Sequence, residues 1–236
     1  MTTSQFWKNS TEVFQMANVL TPTQKTARAR RIATAAWQLF QTHAFSEISM
    51  AMIARQAGVA KGTLFNYYQT KESIFMTLLL EGYRDYFRQL ITRLAAEPQM
   101  TSAQVKAYLL AETKTLITQH ATLVRLNALR GPVLEAHADR TQTVAGRRDL
   151  YTVNVQLGEV LATKLPGLDA QMAAHLFVIQ SAIISGLMNL SGLDHFKQTT
   201  LSADFPAFQI NLEVEAQQTF GFYLDGIFKE EFTRES

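Results

Sequence analysis

The chain has 236 residues, 47% of them hydrophobic, which is enough for a packed core and argues against wholesale disorder. It contains no cysteine, so disulfide frameworks and cysteine-based zinc sites are excluded, and a reducing cytoplasm is the expected compartment. The net charge of +2 is too small to imply a polyanionic partner, but its distribution is lopsided: Lys25, Arg28, Arg30, Arg31, Arg55, Lys61 and Lys71 crowd the N-terminal third, and acidic residues gather after Asp204.

Residues 1–22 lack the basic and apolar blocks of a secretory signal. They read as a partly ordered leader or a short extra helix, with Val13, Met16, Ala17 and Leu20 on one face. Thr21-Pro22 ends it, because a residue before proline is pushed away from helix. A first helix is predicted over 23–43, with Ile32, Ala35, Ala36, Leu39 and Phe40 as its buried stripe. Its N-terminal end carries Lys25 to Arg31. Cations there oppose the helix dipole, a cost that a nearby phosphate would relieve.

The stretch from Met50 to Lys71 reads as two short helices, 49–57 and 60–67, around a tight turn. Met50, Ile53, Ala54 and Ala57 repeat at helical spacing, and Gly58 can take the positive φ of a sharp stop. Leu64 and Tyr68 dock the second helix onto the same core. This is the pattern of a helix-turn-helix, whose second helix enters the DNA major groove. Lys61, Gly62, Thr63, Asn66 and Tyr67 are left facing outward. Lysine suits phosphate or guanine, asparagine can pair with adenine, and Gly62 lets a backbone come close.

Thr70 is placed to cap a long helix over 71–94, the natural lever between the two halves of the chain. Its amide end and Lys71 could hold a phosphate. Thr101 or Ser102 caps a helix from about 103 to 119, and another runs to Arg130. Gly131-Pro132 is a stop. Val133 to about Lys164 reads as one helix, irregular near Gly146. Asp169 caps a helix ending near Leu193; residues 194–206 form a polar loop, and a last helix runs from Pro206 to about Glu231. The apolar segment Leu176–Leu190 is shorter than a bilayer span and reads as a core helix, so no membrane role is expected.

The run from Ile32 to Leu78 resembles the DNA-binding domain of the TetR (tetracycline-repressor-type) family of bacterial transcriptional regulators. The matching residues include Ala35-Ala36, Leu39-Phe40, Phe45, Ser49-Met50, Ile53-Ala54, Ala57-Gly58-Val59, Lys61 to Phe65, Tyr67-Tyr68 and Lys71-Glu72. The resemblance implies an all-α chain: a three-helix, homeodomain-like DNA-binding domain over 23–70, then a larger helical domain over 71–236 for effector binding and dimerisation. It implies DNA contacts from Ser49, Lys61, Gly62, Thr63, Phe65, Asn66, Tyr67 and Lys71. Four residues depart from the family pattern: Phe65 stands where tyrosine is common, Ala60 where serine often caps, Met52 where an acid would complete a capping box, and Ala44 where glycine is common.

The family also implies a homodimer through the last two long helices, presenting two recognition helices roughly 34–36 Å apart to a near-palindromic site on double-stranded DNA. Its C-terminal domain would bind a small apolar or amphipathic effector that releases a repressor. Polar residues in otherwise apolar helices, namely Tyr108, Asn127, Tyr151, Asn154 and Gln180, are the candidate pocket contacts. A DNA-binding adaptor whose second domain takes a protein partner is the alternative. An all-α enzyme is remote: Glu135 and His137 miss the Glu-x-x-His spacing of bundle metal sites, and the five histidines are scattered. No catalytic residue, metal or cofactor is expected.

Overall fold

The computed structural model describes residues 21–191 and 209–233. Residues 1–20 of the predicted leader and the 194–206 loop lie outside the described residues. The last helix, expected from Pro206, is corrected: it starts at Leu212, where the Asn211 side chain accepts from the Val214 amide. Every regular element among the described residues is helical. The chain divides into two compact units, one running through Tyr68 and the other starting at Gln69.

In the first unit, α1 spans Pro22–Thr42, α2 Met50–Gln56 and α3 Lys61–Phe65, with a short 3-10 turn at Phe45–Glu47. Thr21 starts α1 with a reciprocal capping box: its hydroxyl accepts from the Gln24 amide, and the Gln24 side chain accepts from the Thr21 amide. Ser49 caps α2 by accepting from the Met52 amide at 3.2 Å, so the absent acid at 52 leaves one of the two cap bonds in place. Ala60 gives α3 no side-chain cap. Ile32, Ala36, Phe40, Ile48, Ile53, Ala54 and Leu64 form the core, while Leu39 and Met50 are only half-buried.

The stop after α2 is fully bonded. The Val59 amide reaches the Ala54 carbonyl and the Gly58 amide reaches the Arg55 carbonyl, the paired bonds of a Schellman turn. Gly58 sits at φ +62°, where a side chain would be strained. Arg31 closes the same turn from α1, donating to the carbonyls of Ala57 at 2.6 Å and Gly58 at 3.1 Å.

In the second unit, α4 spans Lys71–Ala96, α5 Ser102–Gln119, α6 Ala121–Ala128, α7 Arg140–Lys164, α8 Ala170–Ser191 and α9 Leu212–Thr233. Thr70, Thr101, Asp139 and Asp169 cap α4, α5, α7 and α8 through side-chain oxygens. The predicted helix from Val133 is corrected. A π-turn occupies Arg130–Leu134, and α7 begins only at Arg140, because Asp139 accepts from the Gln142 amide and fixes a new start. Gly146 lies inside α7 without breaking it.

α4 packs on α6 and α7, α7 on α8, and α9 on both α5 and α8. At the α7–α8 crossing a Cβ on Gly158 would meet the Ala170 carbonyl oxygen at 2.5 Å, so only glycine permits that approach. Lys106–Asp225 at 2.6 Å and Lys114–Glu213 at 2.8 Å tie α5 to α9. α8 has the length and apolar composition to cross a membrane, more than the Leu176–Leu190 stretch suggests. Its Ala173, Leu176, Phe177, Gln180 and Ile184 are buried inside this unit.

Candidate functional site

In the first unit the outer side of α3 is open. Lys61, Gly62 and Asn66 are exposed, and Thr63, Phe65 and Tyr67 are half-buried. Leu64 is fully buried and Tyr68 nearly so, which orients the helix by its opposite face. The Lys61 ammonium lies 5.9 Å from the centre of the Phe65 ring, at the outer reach of a cation–π contact. Phe65 therefore has a positioning use even though it lacks a hydroxyl. A Cβ at Gly62 would meet nothing within 4 Å, so no contact among the described residues requires glycine there.

Ser49 is exposed at the head of α2, and its hydroxyl already serves the cap. Lys71 belongs to the second unit, half-buried in the first turn of α4, where Thr70 accepts from the Ser73 amide at 3.1 Å. Arg31, one of the basic residues next to which phosphate was expected, has its guanidinium engaged within the protein.

The second unit holds a partly open cavity of about 210 Å3. It is lined by Leu79, Leu80, Tyr83 and Phe87 of α4, Asn127 of α6, Arg130 of the π-turn, Leu150, Tyr151 and Asn154 of α7, and Phe177, Val178 and Ser181 of α8. Asn127, Tyr151 and Asn154 are thus brought together. Gln180 and Tyr108 are not among the walls. Gln180 is buried and donates to the Thr113 hydroxyl at 2.8 Å, a bond internal to the core. Tyr108 sits beside a separate polar cluster, where burial and the Glu112 carboxylate raise its pKa. In that cluster Glu112 accepts from Arg93 at 2.6 Å and from the Tyr86 hydroxyl at 3.2 Å.

Two open grooves share lining residues with the cavity. Asn154 and Val178 also line an open groove of about 680 Å3 beside His175 and Met172. Tyr151 also lines a groove of about 490 Å3 with Val144, Val155, Arg147 and Arg148. Arg130 and Arg147 both pair with Glu135, and Arg148 lines the same groove as Arg147. From Arg130 the chain passes through the π-turn to His137 and Asp139, which bond back to α4. The Thr70 hydroxyl donates to the His137 carbonyl at 3.0 Å, and the Asp139 amide donates to the Ser73 hydroxyl at 2.8 Å.

Tyr83, Arg130 and Ser181 did not stand out in the sequence. Tyr83 is buried on α4 and Ser181 interrupts an apolar run, and neither position by itself points to a cavity. Only the meeting of four helices assigns them to a cavity wall.

A family model described as "Bacterial regulatory proteins, tetR family" matches residues 32–78. A second, "Tetracyclin repressor-like, C-terminal domain", matches residues 80–231, well over half of the chain. The chain belongs to the TetR family. It is a DNA-binding transcriptional regulator, all-α, with the family's helix-turn-helix domain followed by its C-terminal helical domain. Among relatives of this TetR-family regulator, the "Fatty acid metabolism regulator protein" of Bacillus subtilis is 24% identical over 176 residues, covering 70% of this chain and 87% of that protein. Two solved structures are similar. The regulator FadR from Bacillus subtilis, in complex with stearoyl-CoA, has a TM-score of 0.49 and 17% identity, covering 81% of this chain and 96% of that one. FadR from Thermus thermophilus, in complex with lauroyl-CoA, has a TM-score of 0.47 and 20% identity, covering 83% and 92%.

Proposed function

We propose that this TetR-family regulator is a cytoplasmic homodimeric repressor that reads a near-palindromic operator and is released from it by a fatty-acyl thioester such as an acyl-CoA. Residues of the first unit, Ser49, Lys61, Gly62, Thr63, Phe65, Asn66 and Tyr67, would face DNA, with Lys71 on a phosphate. The observation that carries the DNA-reading part is Gly62: an exposed glycine in a first helical turn lowers helix stability and has no contact among the described residues to justify it. Close approach by an outside surface supplies the reason.

The effector class rests on the cavity. Its walls are mostly apolar, and its volume suits part of a ligand rather than a whole one. The flanking groove with Arg147 and Arg148 offers an anionic head group a place outside it. A tail within and a charged head without describe an amphipathic anion. The name of the Bacillus subtilis sequence relative points to the same chemistry. Asn127, Tyr151 and Asn154 would be contacts. The turn from Arg130 to Asp139, bonded to Thr70 and Ser73, offers a route by which occupancy shifts the start of α4.

Dimerisation would use α8 and α9. Val178, Ala182, Gly186 and Leu190 form an exposed stripe at four-residue spacing on α8, and Val214, Gln218, Phe222 and Gly226 form one on α9. Phe222 is 75% exposed, a large apolar side chain without cover among the described residues. A two-fold pairing of these helices would bury both stripes in a four-helix bundle. Sedimentation should give a dimer, and Phe222→Asp should shift it toward monomer.

The effector reading is tested by fluorescence anisotropy on a labelled operator duplex. Lauroyl-CoA should release the bound protein, while free coenzyme A should not. Retention of DNA at saturating acyl-CoA would exclude this effector class and leave the protein-partner alternative in its place.

A further inference from the structure

The cavity is apolar except at a few points, and two of those points have no internal partner. Tyr83 is only 5% exposed, and its ring meets Phe87 edge-on at 5.9 Å. Its hydroxyl has no hydrogen-bond partner among the described residues. Burial pushes the Tyr83 pKa up to about 12, while weak hydrogen-bonding contact with Ser181 and Asn127 and the Arg130 charge act in the opposite direction. Neither contact meets full hydrogen-bond geometry, so the O–H retains donor capacity.

Asn154 presents the complementary group. Its amide nitrogen donates to the Ala174 carbonyl at 3.2 Å, which orients the side chain. Its carbonyl oxygen is buried and has no partner among the described residues. Asn127 differs, because its nitrogen donates to Ser181 at 2.9 Å and to Ser185 at 2.6 Å. Buried polar atoms are almost always paired, and an unpaired donor and an unpaired acceptor on the walls of one cavity need a common explanation. A bare alkyl chain would leave both groups unsatisfied.

We propose that the effector carries a hydroxyl on its apolar portion, accepting from the Tyr83 hydroxyl and donating to the Asn154 carbonyl oxygen, so that these two residues set ligand specificity. This rests on the reading that the cavity takes the acyl portion of the effector. A site built for a hydrogen-bonding group discriminates against the analogue that lacks it, whereas an apolar wall discriminates weakly.

The test uses the full-length protein and isothermal titration with lauroyl-CoA and its 3-hydroxy and 12-hydroxy derivatives. At least one hydroxylated probe should bind about tenfold tighter than lauroyl-CoA, the worth of one good buried hydrogen bond. Tyr83→Phe should erase that preference, bringing the hydroxylated probe down to the affinity of lauroyl-CoA, and should not lower the melting temperature of the ligand-free protein. Asn154→Ala, a second probe of the same contact, should also reduce the preference. Equal binding of all three probes, or a uniform loss of affinity in Tyr83→Phe, would overturn the hydroxyl assignment and leave the acyl reading standing. No binding by any of the three would overturn both.

Discussion

Arg31 donates to the Ala57 carbonyl at 2.6 Å, joining α1 to the last turn of α2 across 26 residues of sequence. The same guanidinium reaches the Gly58 carbonyl, so a cation closes a helix C-terminus, where the dipole favours it. Arg31→Ala should lower the unfolding free energy by about 1–2 kcal/mol in urea titration, the worth of a charge-assisted bond in a partly exposed place. Because the charge is engaged internally, the salt dependence of DNA binding should barely change.

Gly62 gives a prediction with two opposite signs. Gly62→Ala adds a Cβ into open space on α3 and should raise stability by up to about 1 kcal/mol. The same methyl should weaken operator binding. A variant that melts higher and binds DNA unchanged would remove Gly62 from the DNA face.

Lys61→Ala and Lys71→Ala should each weaken binding to specific and random duplexes alike. Each should also reduce the slope of log K against log salt by about 0.9 per lost phosphate contact. Anisotropy titrations over a range of KCl read this directly. An unchanged slope in both variants would place the two lysines off the phosphate backbone.

His120 links stability to pH. Burial holds its imidazole below the ordinary value of 6.5, with Arg93 acting in the same direction and Glu112 opposing. Its ring meets Tyr86 edge-on at 5.1 Å. The folded protein therefore binds fewer protons than the unfolded chain just below that value, and this contribution to stability is lost as pH falls below about 6.5. Melting curves should show the decline, and His120→Gln should remove part of it.

Several caps were legible in the sequence, because a cap is a local event: Ser49, Thr70, Thr101 and Asp169 each accept from the amide three residues ahead. Thr21 does the same for Gln24, where the sequence pointed only to the end of the leader. The segment after Gly131-Pro132 was not legible. Its polar composition allows helix throughout, and only the Asp139 cap and the bonds to α4 show that Glu135–Ala138 is a turn. Arg31 read as one of several cations suited to a nearby phosphate, because its acceptors, the Ala57 and Gly58 carbonyls, lie 26 and 27 residues away. Gln180 shows the limit for the cavity: a polar residue in an apolar helix has two possible uses, and its partner Thr113 lies on another helix.

Two copies of the α3 face reading one duplex require two matched half-sites. Selection of bound duplexes from a random pool by the full-length protein should enrich a near-palindrome with half-site centres about one helical turn apart or a small multiple of it, lost in Lys61→Ala. A pool that stays random after repeated rounds, or an enriched sequence with a single unrepeated half-site, would contradict it.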